Sequence, residues 1–186
     1  MENTNQFDAY RITNGQWRKE AEGTLGTAVA LGCTGAVNGS AETRVVSKRC
    51  EGDVVKERTI IQKLNMTFRG HMPVGVIRDV FGLSNKDLKE GVHGYGKHST
   101  GSSGNLTFDV YDMDESVIKK VAFPNISWTG GLTIALENGL DEIAEIEVSF
   151  SAFFDENGYC YYETFDDTIS GWNKEFTSEL VAQPAP

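Results

Sequence analysis

The sequence has few cysteines and no long hydrophobic run, and these two shortages exclude two classes of protein. Its 186 residues include 3 cysteines, Cys33, Cys50 and Cys160, an odd number with no CxxC pair. This pattern argues against a disulfide framework and indicates a reducing compartment. Residues 1–20 contain no apolar run, and no stretch of the chain is apolar for long enough to span a bilayer. We therefore expect neither a signal peptide nor a membrane anchor.

The chain also lacks an excess of basic residues. It has 17 Lys and Arg against 27 Asp and Glu, which gives a formal net charge of -10. A protein that binds nucleic acid tightly neutralises phosphates with basic side chains, so tight nucleic-acid binding is not expected. An acidic surface is either a general solubility feature or a means of keeping a polyanion from adhering to a wall that it slides past.

The composition that remains is that of one globular, β-rich domain. Hydrophobic residues make up 39% of the chain and aromatic residues 10%, and 20 glycines indicate many turns. Apolar and polar residues alternate with a period of two in several segments, which is the pattern of a half-buried strand. The predicted strands are residues 27–37, 42–50, 64–71, 105–112, 117–123, 126–136, 142–154 and 159–165. The sequence DENG at 155–158 is typical of a hairpin turn.

One helix is predicted, over residues 73–82. Pro73 suits the first helical position and Gly82 suits the end of the helix. The spacing of the apolar residues between them predicts one buried face, formed by Val74, Ile77, Val80 and Phe81. Residues 83–104 are rich in glycine and serine and predict a long loop. The predicted fold class is therefore mainly β: an antiparallel β-sandwich or barrel with one flanking α-helix.

A search for catalytic or metal-binding patterns finds none that is complete. His93 and His98 lie in the predicted loop without a cysteine or carboxylate cluster at ligand spacing. The run from Gly91 to Lys97 resembles a phosphate-binding loop, but His98 stands where that motif needs Ser or Thr. The DENG turn has too few oxygens for a calcium loop.

The acidic residues of the last long strand do not indicate a hydrolase. Glu142, Glu145 and Glu147 lie in residues 142–154, with Glu145 and Glu147 at alternate positions, and a row of acids on one strand is usually a solvated face. No nucleophile motif and no Cys/His pair accompany them. We therefore predict a protein that is not an enzyme and needs no cofactor or metal.

Several short stretches, taken in order, resemble the major tail tube proteins of long, non-contractile-tailed (siphovirus-type) bacteriophages. They are ETRVVSKRCEGDVVKERT (42–59), LNMTFRGHMPVGVIRDVFGL (64–83), LKEGVHGYG (88–96), FPN (123–125) and ENGLDEIAEIEVSFSAFFDENG (137–158). The resemblance runs from about residue 24 to residue 165. It divides the chain into an N-terminal arm (1–23), a tail tube β-domain (24–165) and a C-terminal extension (166–186).

The resemblance implies two packed antiparallel sheets with one flanking helix, and a structural role in the virion. Such proteins form rings, expected to be hexamers, that stack into a tube around a tape-measure protein and later conduct DNA. The implied partners are other copies of the chain, the tape-measure protein and tail-end proteins, with non-specific passage of phage DNA and no membrane. Assembly is expected in the cytoplasm of the bacterial host, and the final location is the virion tail.

Two sets of residues are candidates for this role. The polar strand face bearing Glu145 and Glu147 is predicted to line the lumen, where it would repel phosphate; an ordinary solvent-exposed face is the alternative. Segment 48–61 is predicted to be a loop that reaches the neighbouring ring, and an ordinary charged hairpin is its alternative. Its charged candidates are Lys48, Arg49, Glu51, Asp53, Lys56, Glu57 and Arg58.

Other functions stay open at this point. One is a related ring-forming tube or adaptor protein of a secretion or tail machine. Another is a β-sandwich module that binds carbohydrate through exposed aromatic side chains such as Trp128 or Tyr159–Tyr162. A zinc enzyme is the most distant alternative.

Overall fold

The computed structural model describes residues 6–134, 136, 143, 145–165, 168–172, 176 and 181. Among the elements described, nine strands and one short helix confirm the predicted class, mainly antiparallel β with a single helix. The elements are β1 (Ala9–Ala21), β2 (Thr24–Leu25), β3 (Val29–Ala30), β4 (Cys33–Cys50), β5 (Asp53–His71), α1 (Val74–Phe81), β6 (Ser103–Asp112), β7 (Ile118–Trp128), β8 (Ile146–Ala152) and β9 (Tyr162–Thr164).

The strands form one antiparallel sheet that curls over its own core. The order across the sheet is β2-β1-β6-β7-β8-β5-β4, with β3 paired to β1 and β9 paired to β7. The sheet curls so far that β1 comes close to β4, near the other end of this order. Between β3 and β4, the Leu31 N–H donates to the Gly15 carbonyl of β1 at 2.8 Å, next to the pairing of β1 with β3. A side chain at Gly15 would meet Thr34 Oγ1 at 3.1 Å, so glycine allows this approach.

The core is filled by alternate residues of the central strands and by aromatic side chains that contact edge to face. Leu106, Phe108 and Val110 of β6 point inward, as the period of two predicted. Val148 and Phe150 of β8 do the same. Ring centroids lie 5.6 Å apart for Trp17–Trp128, 5.3 Å for Trp128–Phe150 and 5.6 Å for Phe123–Phe150. Such contacts add about 0.5–1.5 kcal/mol per pair to the burial of the rings.

The helix forms where the sequence predicted it, and three of the four residues predicted for its buried face pack on the core, whereas Val74 does not. Val76, Val80 and Phe81 are buried and Ile77 packs beside them, whereas Val74 is 63% exposed. Val74 lies roughly 200° around the helix from Val76, since each residue turns by about 100°. Phe81, however, lies only about 20° from Val74 around the helix and is buried, so Val74 is exposed by its place in the first turn and not by its side of the helix.

The segment predicted as an N-terminal arm contributes a strand to the sheet. Within residues 1–23, β1 pairs along its length with β6, from Ala9 opposite Asp112 to Lys19 opposite Gly104. Trp17 is fully buried in the core. The segment has few apolar residues, so its sequence alone predicted only local order.

Two predicted strand boundaries are wrong. Segment 27–37 is not one strand: β3 ends at Ala30, Leu31 is buried, and β4 begins at Cys33. Residues 117–123 and 126–136 were predicted as two strands, but β7 continues through Pro124 to Trp128. The sheet accommodates Pro124 because the register of β6 shifts there, between Gly104 and Leu106.

The last elements are shorter than predicted. Segment 142–154 holds β8 only over Ile146–Ala152, and segment 159–165 holds β9 only over Tyr162–Thr164. A turn forms at DENG, where the Gly158 N–H donates to the Asp155 carbonyl at 3.0 Å, but it does not close the predicted hairpin, because β9 pairs with β7 and not with β8. The candidate Glu142 lies outside the described residues.

Part of the C-terminal extension packs on the outer face of the sheet. Trp172 and Phe176 form a small cluster with Ala122 of β7, on the side away from the main core. The Asn157 amide also donates to the Phe176 carbonyl at 2.9 Å. This segment therefore covers the outer face of β7.

Candidate assembly surface

The segment predicted as an inter-ring loop is the end of a long β-hairpin. Strands β4 and β5 pair from Cys33–His71 to Cys50–Asp53 and are joined by a turn at Glu51 and Gly52. Both turn residues have positive φ (53° and 96°), the conformation of a tight hairpin turn. The predicted loop conformation is wrong, because the alternating charges of KRCEGDVVKER hide the period of two of a hairpin, while the contact of this segment with a neighbouring ring stays a prediction.

The hairpin extends far beyond the rest of the sheet. Strand β8 pairs with β5 only over Leu64–Gly70, so residues 53–63 lie beyond it. At about 3.4 Å per residue, this part reaches roughly 35 Å past the end of β8. Every side chain from residue 38 to residue 62 is exposed. This projecting end of the hairpin, residues 42–63, is here named the ribbon. None of its side chains belongs to the core of its own chain.

The projecting ribbon exposes many aliphatic side chains. Six valines and isoleucines are between 42% and 55% exposed: Val45, Val46, Val54, Val55, Ile60 and Ile61. Burying one such side chain fully stabilises a protein by about 1.5–3 kcal/mol. A two-stranded ribbon alone in water is marginally stable. The ribbon is therefore a surface that gains stability when another protein covers it.

The middle of one face of the ribbon, here named the cationic face, carries four basic side chains, and the acids Glu42 and Asp53 lie at its two ends. In an antiparallel pair, residues directly opposite one another share a face, and Arg44 pairs with Ile60, Val46 with Arg58 and Lys48 with Lys56. The cationic face therefore consists of Arg44, Val46, Lys48, Lys56, Arg58 and Ile60. Lys48, Lys56 and Arg58 were among the charged candidates predicted from the sequence, but their sharing of one face depends on the pairing register, which the sequence does not contain.

The other predicted residues of this segment lie at the turn or on the opposite face. Arg49 donates from Nη1 to the Gly52 carbonyl at 3.3 Å, and Asp53 pairs with Cys50 beside the turn. Glu57 is on the opposite face, where it accepts a hydrogen bond from Ser47 Oγ at 3.0 Å.

Both edges of the projecting ribbon are open among the described residues. There, β4 pairs with β5 alone, and residues 53–63 of β5 pair with β4 alone. The opposite end of the strand order is also short of partners, since the described partner of β2 is β1. Unpaired strand edges are templates for pairing with another chain.

The structure places the predicted lumen residues beside a basic side chain. Glu147 is exposed on β8 and lies opposite Arg69 of β5 in the register. Glu145 precedes the strand, is half-buried, and pairs with Arg69 at 2.6 Å. Lys63 lies on the same face of β5 as Arg69, six residues closer to the turn of the hairpin. This face therefore carries mixed charge, and the assignment of Glu145 and Glu147 to a lumen stays a prediction.

A cavity of about 550 Å³ opens beside the β1–β2 turn and the end of β8. Its apolar walls include Leu25, Pro124, Phe154 and Phe176, and its carboxylates are Glu20, Asp155 and Glu156. Asp155 is held by its own turn, accepting hydrogen bonds from the backbone of Asn157 and Tyr159 and from the Tyr162 hydroxyl. Glu20 and Glu156 are exposed, and within the described part of the chain neither forms an ion pair.

The aromatic side chains proposed for carbohydrate binding do not form one exposed platform. Trp128 is 3% exposed and packs in the core, so that candidate is wrong. Tyr159 is exposed and its ring lies 5.5 Å from that of Tyr162. Tyr162 in turn stacks on Phe176 and donates to Asp155 at 2.7 Å. Tyr162 is therefore part of the fold of the C-terminal segment.

The residues that the structure describes contain no group of three or more His, Cys, Asp or Glu side chains able to hold a metal ion. Nor do they contain a helix with the length and apolar character needed to cross a membrane.

No protein-family model matches this chain, and no curated protein does. Among solved structures, the chain is similar to the anti-feeding prophage cap, a tube terminating cap determined by cryo-EM. The match has a TM-score of 0.47 and 10% sequence identity, and it covers 89% of this chain and 97% of that chain.

Proposed function

We propose that this protein is a structural subunit that assembles into rings, and that the rings stack to form the tail tube of a long, non-contractile-tailed bacteriophage. The observation that carries the proposal is the β4–β5 ribbon, which exposes its aliphatic side chains and both of its edges. The resemblance of the sequence to tail tube proteins supplies the kind of assembly.

The physical reason is that the ribbon lacks a partner within its own chain. Left alone, an exposed aliphatic ribbon with open edges aggregates without control. If the ribbon of one copy packs on a different surface of the next, the contact is heterologous. Heterologous contacts close into a ring when the rotation between copies allows it. In a ring, expected to be a hexamer, each copy then covers the exposed aliphatic side chains and the open edges of the neighbouring ribbon.

The remaining features of the role are proposed on the same basis. The partners are other copies of the chain, the tape-measure protein and tail-end proteins, and the place of action is the virion tail. The face bearing Glu145 and Glu147 lines the lumen that phage DNA passes. The role needs no catalytic residue and no cofactor.

Electron microscopy of concentrated protein tests the proposal, with a ribbon variant beside the wild type. We expect the wild type to form rings or tubes. The double variant V46S/I60S removes two aliphatic side chains from the ribbon and should remain a folded monomer. The control V74S/L88S removes two exposed aliphatic side chains elsewhere and should assemble like the wild type.

A wild type that stays monomeric at high concentration, even with tail-end proteins present as initiators, would contradict the proposal. If the wild type forms rings but its gene has no tape-measure gene nearby, a secretion-tube or adaptor role is favoured instead.

A further inference from the structure

The net charge of the chain is divided unevenly between the ribbon and the rest of the molecule. Residues 42–63 carry six basic and four acidic side chains, a net charge of +2, while the whole chain carries -10. The rest of the chain therefore carries a net charge of about -12. A basic ribbon on an acidic body is complementary to the body of another copy.

The cationic face concentrates this positive charge. Lys48 lies directly opposite Lys56, and Arg58 lies two residues from Lys56 on the same face. Like charges in opposed positions destabilise a strand pair. Among the described residues, no acidic side chain forms an ion pair with any of the four basic residues of this face. An acidic surface on another molecule would therefore stabilise this face.

The cavity beside the β1–β2 turn has the complementary chemistry. Glu20 and Glu156 supply exposed carboxylates without a basic partner, and Leu25 and Phe154 supply apolar walls. Its volume of about 550 Å³ falls in the range of pockets that hold small ligands, so it has room for the side chains that one ribbon face presents. The cavity borders β2, at the end of the strand order opposite to β4.

We propose that the cationic face of the ribbon docks into this acidic cavity on a second copy of the chain. The proposal rests on the proposed function and names the two surfaces of the contact between copies. Lys56 and Arg58 pair with Glu20 and Glu156, while Val46 and Ile60 pack on Leu25 and Phe154. Since the two surfaces are different, the contact is heterologous, as a ring requires. The aliphatic side chains on the cationic face favour this occupant over nucleic acid, which offers no apolar cover for them.

A charge exchange tests the pairing, using full-length protein and the concentration at which rings first form. K56E/R58E should raise this concentration, and E20K/E156K should raise it as well. The two double variants mixed in equal amounts should assemble at a lower concentration than either alone, because a ring in which they alternate places a basic surface opposite an acidic one at every contact. The quadruple variant, in which every contact has its charges exchanged, should return to near the wild-type value.

A second comparison separates the position of the charge from its amount. K56Q/R58Q and S47E/T59E each lower the net charge by the same amount, the first on the cationic face and the second on the opposite face. We expect K56Q/R58Q to raise the assembly concentration by about three- to tenfold at low salt, because exposed ion pairs are individually weak. The increase caused by K56Q/R58Q should be smaller at high salt, where charges more than a few ångströms apart are screened from one another. S47E/T59E should have a smaller effect.

The outcomes distinguish this proposal from the proposed function. A wild type that never assembles overturns both. A wild type that assembles while E20K/E156K behaves like it overturns the pairing and leaves the ring proposal standing. Binding of duplex DNA by the wild type that K56E/R58E abolishes, with assembly unchanged, would assign the cationic face to DNA instead. Circular dichroism and thermal unfolding of each variant establish that it folds.

Discussion

Two adjacent tyrosines, Tyr161 and Tyr162, each donate a hydroxyl proton to a carboxylate. Tyr161 donates to Glu163 at 2.6 Å and Tyr162 donates to Asp155 at 2.7 Å. Burial, followed by these hydrogen bonds, raises the pKa of both phenols, and that of Tyr162 rises to about 12. The hydrogen bond from Tyr161, together with Lys119, lowers the pKa of the Glu163 carboxyl. The hydrogen bond from Tyr162 to Asp155 ties β9 to the turn at residues 155–158.

The raised pKa of Tyr162 predicts a loss of stability at alkaline pH. The neutral phenol is favoured in the folded state, so its contribution is fully present below pH about 10, the ordinary pKa of tyrosine. The contribution is lost as the pH rises towards 12, because the unfolded state then releases the proton first. In Y162F the free energy of unfolding should fall less steeply between pH 10 and 12. Urea unfolding at several pH values measures the slope.

Tyr10 supplies a control for this prediction. It is an exposed tyrosine of β1, and Y10F removes its hydroxyl without touching the turn at residues 155–158. Y10F should follow the wild-type slope. An identical slope in Y162F would show that the Tyr162 hydroxyl does not contribute to the alkaline transition.

At the scale of the element, helix α1 ends at a residue that only glycine suits. Gly82 has φ 65° and ψ 38°, and its N–H and that of Leu83 close the last turn on Asp79 and Arg78. A side chain at this position would also lie 2.1 Å from the Thr100 carbonyl oxygen. The helix therefore stops because of backbone conformation and the loop packed against it.

We expect G82A to lower the free energy of unfolding by at least about 1–2 kcal/mol, the cost of the left-handed conformation alone. The matched control is G75A, inside the same helix, where an added side chain meets nothing within 4 Å. G75A should stabilise the protein by about 0.5–1 kcal/mol, because alanine loses less backbone entropy than glycine. Equal effects of the two substitutions in urea unfolding would contradict this account of the helix end.

The ribbon is the other element whose behaviour depends on its surroundings. Its base, up to Leu64, is held by β8, whereas its outer part has neither a core beneath it nor a third strand beside it. Elements with few buried contacts open most easily. In the proposed assembly, the outer ribbon becomes ordered by the next copy.

At the scale of the whole molecule, the acidic residues of the predicted lumen face are expected to repel the phosphates of passing DNA. Glu147 lies opposite Arg69 in the register, and Glu145 forms an ion pair with the same arginine. We predict that E145K/E147K folds and forms rings but impairs DNA ejection, since it leaves Arg69 without an acidic neighbour and makes the face attractive to phosphate. Phage carrying the variant should show reduced infectivity with normal tail length.

The control is E115K/D114K at the β6–β7 turn, which makes the same change of charge away from β8. Unchanged infectivity of E145K/E147K would remove these residues from the lumen. Shortened or absent tails would instead place them at a contact between copies.

The sequence by itself determined the elements whose signals are local. Alternation with a period of two identified β6 and the core of β8, because a strand points successive side chains to opposite faces whatever its partner. Pro73 and Gly82 marked the helix ends because their preferences are properties of one residue. The charge of -10 followed from composition alone.

Tertiary structure decided everything that depends on which strands are neighbours. The outer sequence of β4 and β5 is charged on both faces, so only their pairing shows that Arg44, Lys48, Lys56 and Arg58 share one face. The joining of two predicted strands into β7 depends on a register shift in β6 that accepts Pro124. Trp128 is buried because β1 places Trp17 against it from a distant part of the chain. Pairing and burial are relations between segments far apart in sequence, and a local pattern carries no record of them.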